Sequence, residues 1–336
     1  MKNQETEVIL VFHKDDPDGI ISAALFLRKF GLNVKMVPCA YQDQERVFRQ
    51  LCVKAKGRVI YIGDICAKDY PMDGGETVLE LLAASAKKIV WFDNHPATRY
   101  FMPLFKKYGH EIIMGDEQQI CAAKLIQERQ LPKDWYADFL AHVAQKSDYP
   151  PAVSTTASTL IEVGIGLQKV ISYYNSRNDT RGRGLIELIE TIAQDDIWCL
   201  NGKFCLSFKQ IIAAVDELIK KAQAESLKKR VFINVKGKRF LITCADEILY
   251  DKKILVDLRD KLAGEVDGVA VYFLPPVGHL LFFKGRQSDF NAQEFCEFMG
   301  GGGREGNGGF SPLVKYGQEK FEMFVDFLAK KLNQYI

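Results

Sequence analysis

The sequence carries almost no excess charge of either sign, because its 45 lysines and arginines stand against 43 aspartates and glutamates, a formal net charge of +2. This balance excludes a basic surface over the whole protein that would bind long nucleic acid. Any polyanion must therefore bind at a local site. No apolar run approaches the roughly 18 residues of a membrane span, and the first residues contain no apolar segment of signal length. We therefore expect a cytoplasmic protein with no membrane partner.

The sequence also lacks cysteines at metal-binding spacing, since its eight cysteines include no Cys-x-x-Cys pair. Pairs at that spacing are typical of zinc knuckles, and dense cysteine patterns are typical of disulfide frameworks in secreted proteins. The sequence indicates neither, so we expect reduced and mostly buried thiols. No Ser-His-Asp or Cys-His arrangement for nucleophilic catalysis stands out either.

What the chain does contain is apolar sequence in a regular rhythm, with 47% hydrophobic residues among 336. Five apolar runs alternate with helix-like sequence through the first half. They are Glu7–Phe12, Asn33–Ala40, Arg58–Ile65, Lys88–Asp93 and Glu111–Met114. This alternation predicts an α/β fold with a doubly wound, mainly parallel sheet. From residue 118 to about 224 helical patterns dominate and predict a helical extension of the same domain.

The last third of the chain predicts a second, smaller α/β domain. The amphipathic segment Leu206–Arg230 predicts a connecting helix. Four strand-like runs follow it, at Val231–Val235, Arg239–Ala245, Val269–Leu274 and His279–Lys284. We therefore predict domains at residues 1–205 and 231–336, joined by a helix at 206–230.

Polar residues with metal-binding side chains gather where predicted strands end. His13–Gly19 reads His-Lys-Asp-Asp-Pro-Asp-Gly, which by itself is equally typical of a turn. Asp64 ends a second apolar run, and Asp93, Asn94 and His95 end a third. Because the carboxyl ends of parallel strands face one crevice, we expect these side chains to converge. Several carboxylates with a few imidazoles suit Mn²⁺ or Mg²⁺.

The second predicted domain offers features suited to phosphate. The glycine-rich run Phe298–Phe310 would let backbone amides approach an anion closely, and Arg304 lies inside it. Arg286, at the end of a predicted strand, could grip phosphate with two parallel hydrogen bonds. The alternatives are a flexible connector for the glycine run and a plain surface charge for Arg286.

Taken in order, the motifs HKDDPDGIISAA, IGDI, WFDNHP, KSDYP, FFKGR and GGGGREGNGGF resemble the DHH phosphoesterase superfamily with its DHHA1 C-terminal domain. The resemblance spans nearly the whole chain. Members of this superfamily include oligoribonucleases, single-strand exonucleases, cyclic-dinucleotide phosphodiesterases, exopolyphosphatases and manganese pyrophosphatases. The resemblance implies a DHH domain that binds metal and a DHHA1 domain that binds substrate.

The resemblance also implies a role for each matching residue. The implied metal ligands are His13, Asp16, Asp18, Asp64, Asn94 and Asp148. Asp64 would bridge two ions, and His95 would contact the substrate. The implied contacts to the nucleotide or its terminal phosphate are Arg286, Gly301, Gly302, Gly303 and Arg304. Asn94 stands where the family has its central histidine, Arg304 stands where many relatives have histidine, and the sequence leaves open whether Asp15 or Asp16 faces the metal.

These features predict a metal-dependent phosphoesterase, with Mn²⁺ favoured over Mg²⁺ and two ions per chain. Metal-activated water would hydrolyse a short oligonucleotide or a small phosphorylated nucleotide, with Asp64 and His95 as catalytic residues. The expected partner is short single-stranded nucleic acid or a nucleotide, and a homo-oligomer is compatible with the sequence. Two alternatives stay open. One is a phosphoanhydride hydrolase of the exopolyphosphatase or pyrophosphatase type, and the other is a nucleotide-binding regulatory protein in which Asn94 has abolished turnover.

Overall fold

The structure is a computed structural model and divides into two compact units, Met1–Ile212 and Ala213–Ile336. It describes residues 8–32, 34–72, 74–115, 120–149, 159–176, 183–194, 198–200, 203–246, 258–262, 264, 266–275, 277–285, 287–304 and 306–336. Within these residues, no helix is long and apolar enough to cross a membrane.

The first unit is built on a five-stranded parallel sheet. Its strands are β1 (Val8–His13), β2 (Val34–Cys39), β3 (Val59–Gly63), β4 (Lys88–Asp93) and β5 (Glu111–Met114). Their order across the sheet is β2-β1-β3-β4-β5, and every neighbouring pair is parallel. The predicted α/β class is confirmed, and each of the five apolar runs forms a strand.

Helices cover both faces of this sheet. They are α1 (Pro17–Phe30), α2 (Gln44–Lys54), α3 (Val78–Ser85), α4 (Met102–Lys107), α5 (Ala122–Gln130), α6 (Trp135–Asp148), α7 (Thr159–Ser176) and α8 (Arg183–Ala193). Leu10 and Phe12 of β1 pack in a core with α1 and α5 to α8, whereas Ile9 and Val11 pack with α2 and α3 on the other face. Burial on both faces explains why this strand has no polar alternation.

The helical extension after β5 contains one feature that the sequence did not predict. A short antiparallel hairpin, β6 (Cys199–Leu200) and β7 (Lys203–Phe204), interrupts the helices. Helix α9 (Leu206–Lys228) follows it, and the division between the two units falls inside this helix.

The second unit contains a six-stranded mixed sheet. Its strands are β8 (Val231–Val235), β9 (Lys238–Ala245), β10 (Gly268–Phe273), β11 (Leu280–Lys284), β12 (Gly302–Arg304) and β13 (Asn307–Phe310), in the order β12-β13-β11-β10-β9-β8. Strands β9 and β10 are parallel, and the other neighbours are antiparallel. Helices α10 (Ala292–Phe298) and α11 (Phe321–Tyr335) pack against its core.

The glycine run of this unit forms the edge hairpin β12–β13, so it is neither an open loop nor a flexible connector. Glycine is required because the hairpin packs closely on itself and on α10. A Cβ at Gly301 would lie 2.0 Å from the Gly309 carbonyl oxygen, and one at Gly308 would lie 2.8 Å from the Cys296 sulfur. The run therefore shows no strand pattern in sequence, although residues 302–304 and 307–310 form paired strands.

Candidate metal centre

The His13–Gly19 stretch places a histidine at the end of β1 and starts α1 directly behind it. Asp16 caps the helix, since its Oδ1 accepts a hydrogen bond from the Gly19 amide at 3.0 Å, and Pro17 occupies the first helical position. Gly19 permits this close return, because a Cβ there would lie 2.0 Å from the His13 carbonyl oxygen. The stretch is thus a helix start that fixes His13 and Asp16 beside each other.

A first donor group consists of His13, Asp16 and Asp64, whose ligand atoms all lie within 4.8 Å of one another. His13 Nδ1 is 2.9 Å from Asp16 Oδ2 and 3.5 Å from Asp64 Oδ2. Asp64 follows β3 with a φ of +57°, a left-handed conformation that Asp and Asn tolerate better than most residues. The expected convergence of the β1 and β3 ends is present in the structure.

Asp15 has a different environment from Asp16. Two amide side chains of α7 hold the loop around Asp15. Gln168 donates to the Asp15 carbonyl at 2.9 Å, while Asn175 donates to the Lys14 carbonyl and to Asp15 Oδ1, both at 3.1 Å. Asp15 Oδ2 lies 3.6 Å from His13 Nε2, but it is Asp16 that joins His13 and Asp64 in the donor group.

A second group of potential ligands shares Asp64 and adds Asp93 and His95 from the end of β4. Asp93 is fully buried and accepts hydrogen bonds on both carboxylate oxygens. Its Oδ1 lies 2.7 Å from His95 Nδ1, and its Oδ2 accepts from the Thr98 hydroxyl. His95 Nε2 is also engaged, 3.0 Å from the Tyr41 hydroxyl. Both members from β4 therefore already have hydrogen-bond partners.

Asn94 lies between these residues and is oriented by α6. Its Nδ2 donates to Asp148 Oδ2 and to the Tyr149 hydroxyl, each at 2.9 Å. Because a carboxylate can only accept, the amide nitrogen must face Asp148 and the amide oxygen must face the other way. The structure thus brings Asp148 to Asn94 but includes it in neither donor group.

Asp18, also expected to be a ligand, caps α5 in the structure. Its two carboxylate oxygens accept from the Ala122 and Ala123 amides at 2.9 and 2.8 Å. Burial, followed by repulsion from Asp148 and Asp16, raises the pKa of Asp18 to about 7. It belongs to neither donor group.

Unpaired buried atoms indicate that the first group suits a metal ion. Among the described residues, four buried side-chain polar atoms lack a hydrogen-bond partner, and three of them are His13 Nε2, Asp64 Oδ2 and Asn94 Oδ1. His13 and Asp64 are only 6% and 3% exposed. Leaving such atoms unpaired is costly unless something binds them. Imidazole nitrogen with carboxylate and amide oxygens is a donor set that Mn²⁺ accepts.

The electrostatics of the centre also favour a bound cation. The pKa of Asp64 is raised by burial and then by the negative charges of Asp16 and Asp18. Burial lowers the pKa of His13, but the charge of Asp16 and hydrogen bonds to nearby carboxylates outweigh it and raise this pKa well above its usual value. For Asp16, burial works toward a higher pKa, yet the interaction with His13 keeps the pKa low. A divalent cation would relieve this accumulation of negative charge.

The residues of the second unit that were expected to bind substrate have different environments. Arg286 lies outside the described residues. The Gly301 amide donates to the Cys296 carbonyl at 2.8 Å, so it closes the end of α10. Gly302 and Gly303 pair with Gly309 and Gly308, and Arg304 pairs with Asn307 across the hairpin. Their assignment to substrate stays a prediction.

Sequence reasoning missed several side chains of the centre, namely Tyr41, Thr98, Tyr149, Gln168 and Asn175. Tyr41 follows β2, whose carboxyl end lies at the same sheet edge as His13 and Asp64. This position in the sheet could have identified Tyr41 from the sequence, but the end of β2 carries no acid or histidine that would mark a metal-binding strand end. Thr98 lies only five positions after Asp93, and Tyr149 follows Asp148 directly. Gln168 and Asn175 reach the centre through contacts that no local spacing encodes.

The fold is similar to two solved RecJ structures. The chain aligns over 97% of its length with 52% of RecJ from Thermus thermophilus in complex with Mn²⁺, at a TM-score of 0.56 and 11% identity. It aligns over 99% of its length with 90% of an exonuclease RecJ bound to manganese, at a TM-score of 0.51 and 12% identity. The chain thus spans about half the length of the Thermus protein.

No protein-family model matches the sequence, and no curated protein matches it. The two RecJ structures are members of the DHH superfamily, and this chain shares their α/β fold along nearly its full length. The chain therefore has the fold of these RecJ structures, as the resemblance seen in the sequence implied.

Proposed function

We propose that this protein is a divalent-metal-dependent phosphoesterase whose substrate is a short oligonucleotide or a small phosphorylated nucleotide. The observation that carries the proposal is the His13, Asp16 and Asp64 group at the carboxyl edge of the sheet, with His13 Nε2 and Asp64 Oδ2 buried and unpaired. Ligands of open α/β sheets bind at this edge. A purely structural cluster would be expected to satisfy these atoms internally.

Mn²⁺ is the favoured ion, with Mg²⁺ as the alternative. His13, Asp16 and Asp64 would hold it, and the oxygen-rich donor set with one imidazole supports this choice. The similar RecJ structures contain manganese. A bound divalent ion supplies Lewis acidity toward a phosphoryl oxygen and a nucleophile from water near neutral pH.

The protein's own residues would orient the substrate. Asp93 holds the His95 ring through Nδ1, and the Tyr41 hydroxyl contacts the ring at Nε2. Buried Asp93 is itself fixed by the Thr98 hydroxyl, so the ring direction is set before substrate arrives. The pKa of His95 is raised, because hydrogen bonding and the charge of Asp93 outweigh the opposing effect of burial. A proton-bearing ring at this place suits contact with a phosphate or a leaving oxygen.

The small net charge supports a short substrate, since many phosphate contacts usually require a basic groove. We propose that the C-terminal domain, residues 231–336, supplies the remaining substrate contacts through Arg286, Arg304 and Gly301–Gly303. This assignment rests on the sequence resemblance.

The test is an Mn²⁺-supplemented assay of the full chain against dinucleotides, an adenosine bisphosphate, a cyclic dinucleotide, pyrophosphate and polyphosphate. Asp64→Asn should abolish turnover, because it removes the carboxylate shared by both donor groups. Asp138→Asn is the matched control, since Asp138 is a surface carboxylate paired with Lys124. Equal activity in wild type and Asp64→Asn would refute the mechanism. Activity on polyphosphate or pyrophosphate alone would replace the substrate class by phosphoanhydrides.

A further inference from the structure

Tyr41 brings to the centre a hydroxyl group that none of the roles assigned so far uses. It lies in a short 3-10 helix, Tyr41–Asp43, that begins just after β2. Its hydroxyl oxygen is 3.0 Å from His95 Nε2, and its ring centroid is 4.5 Å from that of His13. One side chain therefore contacts a candidate metal ligand and the residue expected to meet the substrate.

The Tyr41 side chain is accessible to a ligand that enters the centre. Tyr41 is 42% exposed, and the His95 side chain is 37% exposed. The carboxylates of Asp64 and Asp93 are buried beside them. An anion that approaches from solvent therefore meets the phenol and the imidazole before it meets the buried acids.

The Tyr41 hydroxyl is a neutral hydrogen-bond donor in an acidic site. Burial, followed by the negative charges of Asp64 and Asp16, raises the pKa of Tyr41 far above its usual value of 10.0. The phenol therefore keeps its hydrogen. Ionised carboxylates can only accept hydrogen bonds, so they repel a phosphate oxygen, whereas a phenol donates to it without adding charge.

The distance between the phenol and the imidazole suits two donors that share one anionic oxygen. Hydrogen bonds from N–H or O–H groups to oxygen are about 2.7–3.0 Å long. One oxygen can therefore lie within hydrogen-bond distance of both His95 Nε2 and the Tyr41 hydroxyl. Asp93 already holds the His95 ring at Nδ1, 2.7 Å away, so Nε2 is the nitrogen that points to the substrate.

We propose that Tyr41 is a substrate-binding residue, whose hydroxyl donates to the same phosphate oxygen that His95 contacts. This rests on the proposed function, because it adds a residue to the substrate site of the same centre. The group that Tyr41 recognises is a phosphate oxygen, so the hydroxyl should contribute to the binding of inorganic phosphate as well as of a dinucleotide.

The first experiment measures phosphate binding without turnover. Inorganic phosphate is titrated by calorimetry into the full chain loaded with Mn²⁺. Tyr41→Phe should weaken phosphate binding about tenfold or more, because a hydrogen bond to a charged group is lost. Mn²⁺ affinity should stay within about threefold, since phenylalanine keeps a ring against His13.

Three results of these titrations would overturn the inference. They are a phosphate affinity that changes by less than about threefold in Tyr41→Phe, an Mn²⁺-loaded wild type that binds no phosphate, and a tenfold loss of Mn²⁺ affinity in Tyr41→Phe. The last result would show that Tyr41 acts on the metal ligands rather than on the phosphate.

The second experiment compares the hydrolysis of a dinucleotide by matched variants. Tyr41→Phe should lower kcat/KM about tenfold or more. Tyr70→Phe is the control, since it also removes a phenol hydroxyl, one that donates to the Gln44 side chain on α2, and it should leave kcat/KM unchanged. Equal kcat/KM in wild type and Tyr41→Phe would overturn the inference.

The outcomes separate this inference from the proposed function. Weaker phosphate binding by Tyr41→Phe, in a chain that hydrolyses none of the substrates tested, would refute the proposed function and support the role of Tyr41. Hydrolysis that does not depend on the Tyr41 hydroxyl would refute only the role of Tyr41.

Discussion

Replacing Asp64 by Asn should stabilise the metal-free protein and at the same time abolish its response to Mn²⁺. The carboxylate is 3% exposed, its Oδ2 has no hydrogen-bond partner, and Asp16 and Asp18 surround it with like charge. Asn keeps the shape and tolerates the left-handed backbone at φ +57°. The substitution therefore removes an unfavourable charge without straining the chain.

The expected magnitudes are large enough to measure. Burial and the charges of Asp16 and Asp18 outweigh the contact of Asp64 with His13, so removing this buried charge should return about 1–3 kcal/mol of unfolding free energy. For a unit of this size, 1 kcal/mol corresponds to roughly 2–4 °C in Tm, so metal-free Asp64→Asn should melt roughly 2–12 °C higher. Wild type should gain about 2.7 kcal/mol, or about 5–10 °C, when free Mn²⁺ is at 100 times its Kd. Asp64→Asn should show no such shift.

The pH dependence provides a check on the sign. Because the folded-state pKa of Asp64 is raised, its contribution to stability is fully present below the unfolded value of 3.8 and is lost as pH rises toward the folded value. The advantage of Asp64→Asn should therefore grow from pH 4 to pH 8.

Differential scanning calorimetry with and without Mn²⁺ measures both effects. Asp138→Asn, at a half-exposed surface pair, should change the unfolding free energy by less than about 1 kcal/mol and keep the Mn²⁺ shift. Metal-free Asp64→Asn that is less stable than wild type at pH 8, or a preserved Mn²⁺ shift, would refute the reasoning.

Three other predictions concern the same centre. Mn²⁺ affinity should rise with pH between about 5.5 and 8. The pKa of Asp64 is raised and the pKa of Asp18 is about 7, so protons compete with the ion at low pH. Calorimetry in buffers of different ionisation enthalpy would count the released protons, and an Mn²⁺ affinity that does not change with pH would contradict this prediction. Asn175→Leu should weaken Mn²⁺ binding by about tenfold, because it removes the hydrogen bonds from Asn175 to Lys14 and Asp15. An unchanged Kd would show that α7 does not position the metal ligands. Asn94→His should tighten Mn²⁺ binding, because an imidazole nitrogen is a stronger ligand for a transition metal than an amide oxygen. An unchanged affinity in calorimetry would mean that the side chain at position 94 does not contact the ion.

The sheet of the first unit was predictable because its strands are buried on both faces. A run such as Glu7–Phe12 can then be apolar throughout, and strands of this kind alternate with helices in parallel folds. The convergence of His13, Asp64 and Asp93 followed from the same logic, since parallel strands place their carboxyl ends at one edge. The hairpin of glycines was not predictable in this way, because glycine has no side chain that could display a strand period.

The capping role of Asp16 could have been predicted from the sequence. An acid directly before a proline that opens a helix is a typical N-cap, and Asp16 before Pro17 fits this rule. By contrast, Tyr41 pairs with a residue 54 positions away and Asn175 with one 160 positions away. Such contacts depend on how helices pack over the sheet edge, which no local pattern specifies.

In the sequence, Asn94 looks like the loss of a histidine ligand, but in the structure hydrogen bonds hold its side chain and the side chains beside it. Thr98 and Tyr41 engage the neighbouring Asp93 and His95. Asp148 and Tyr149 hold the Asn94 amide nitrogen, so that its Oδ1 is left buried and unpaired. That buried oxygen is therefore the atom of Asn94 that is available to an ion or to the substrate.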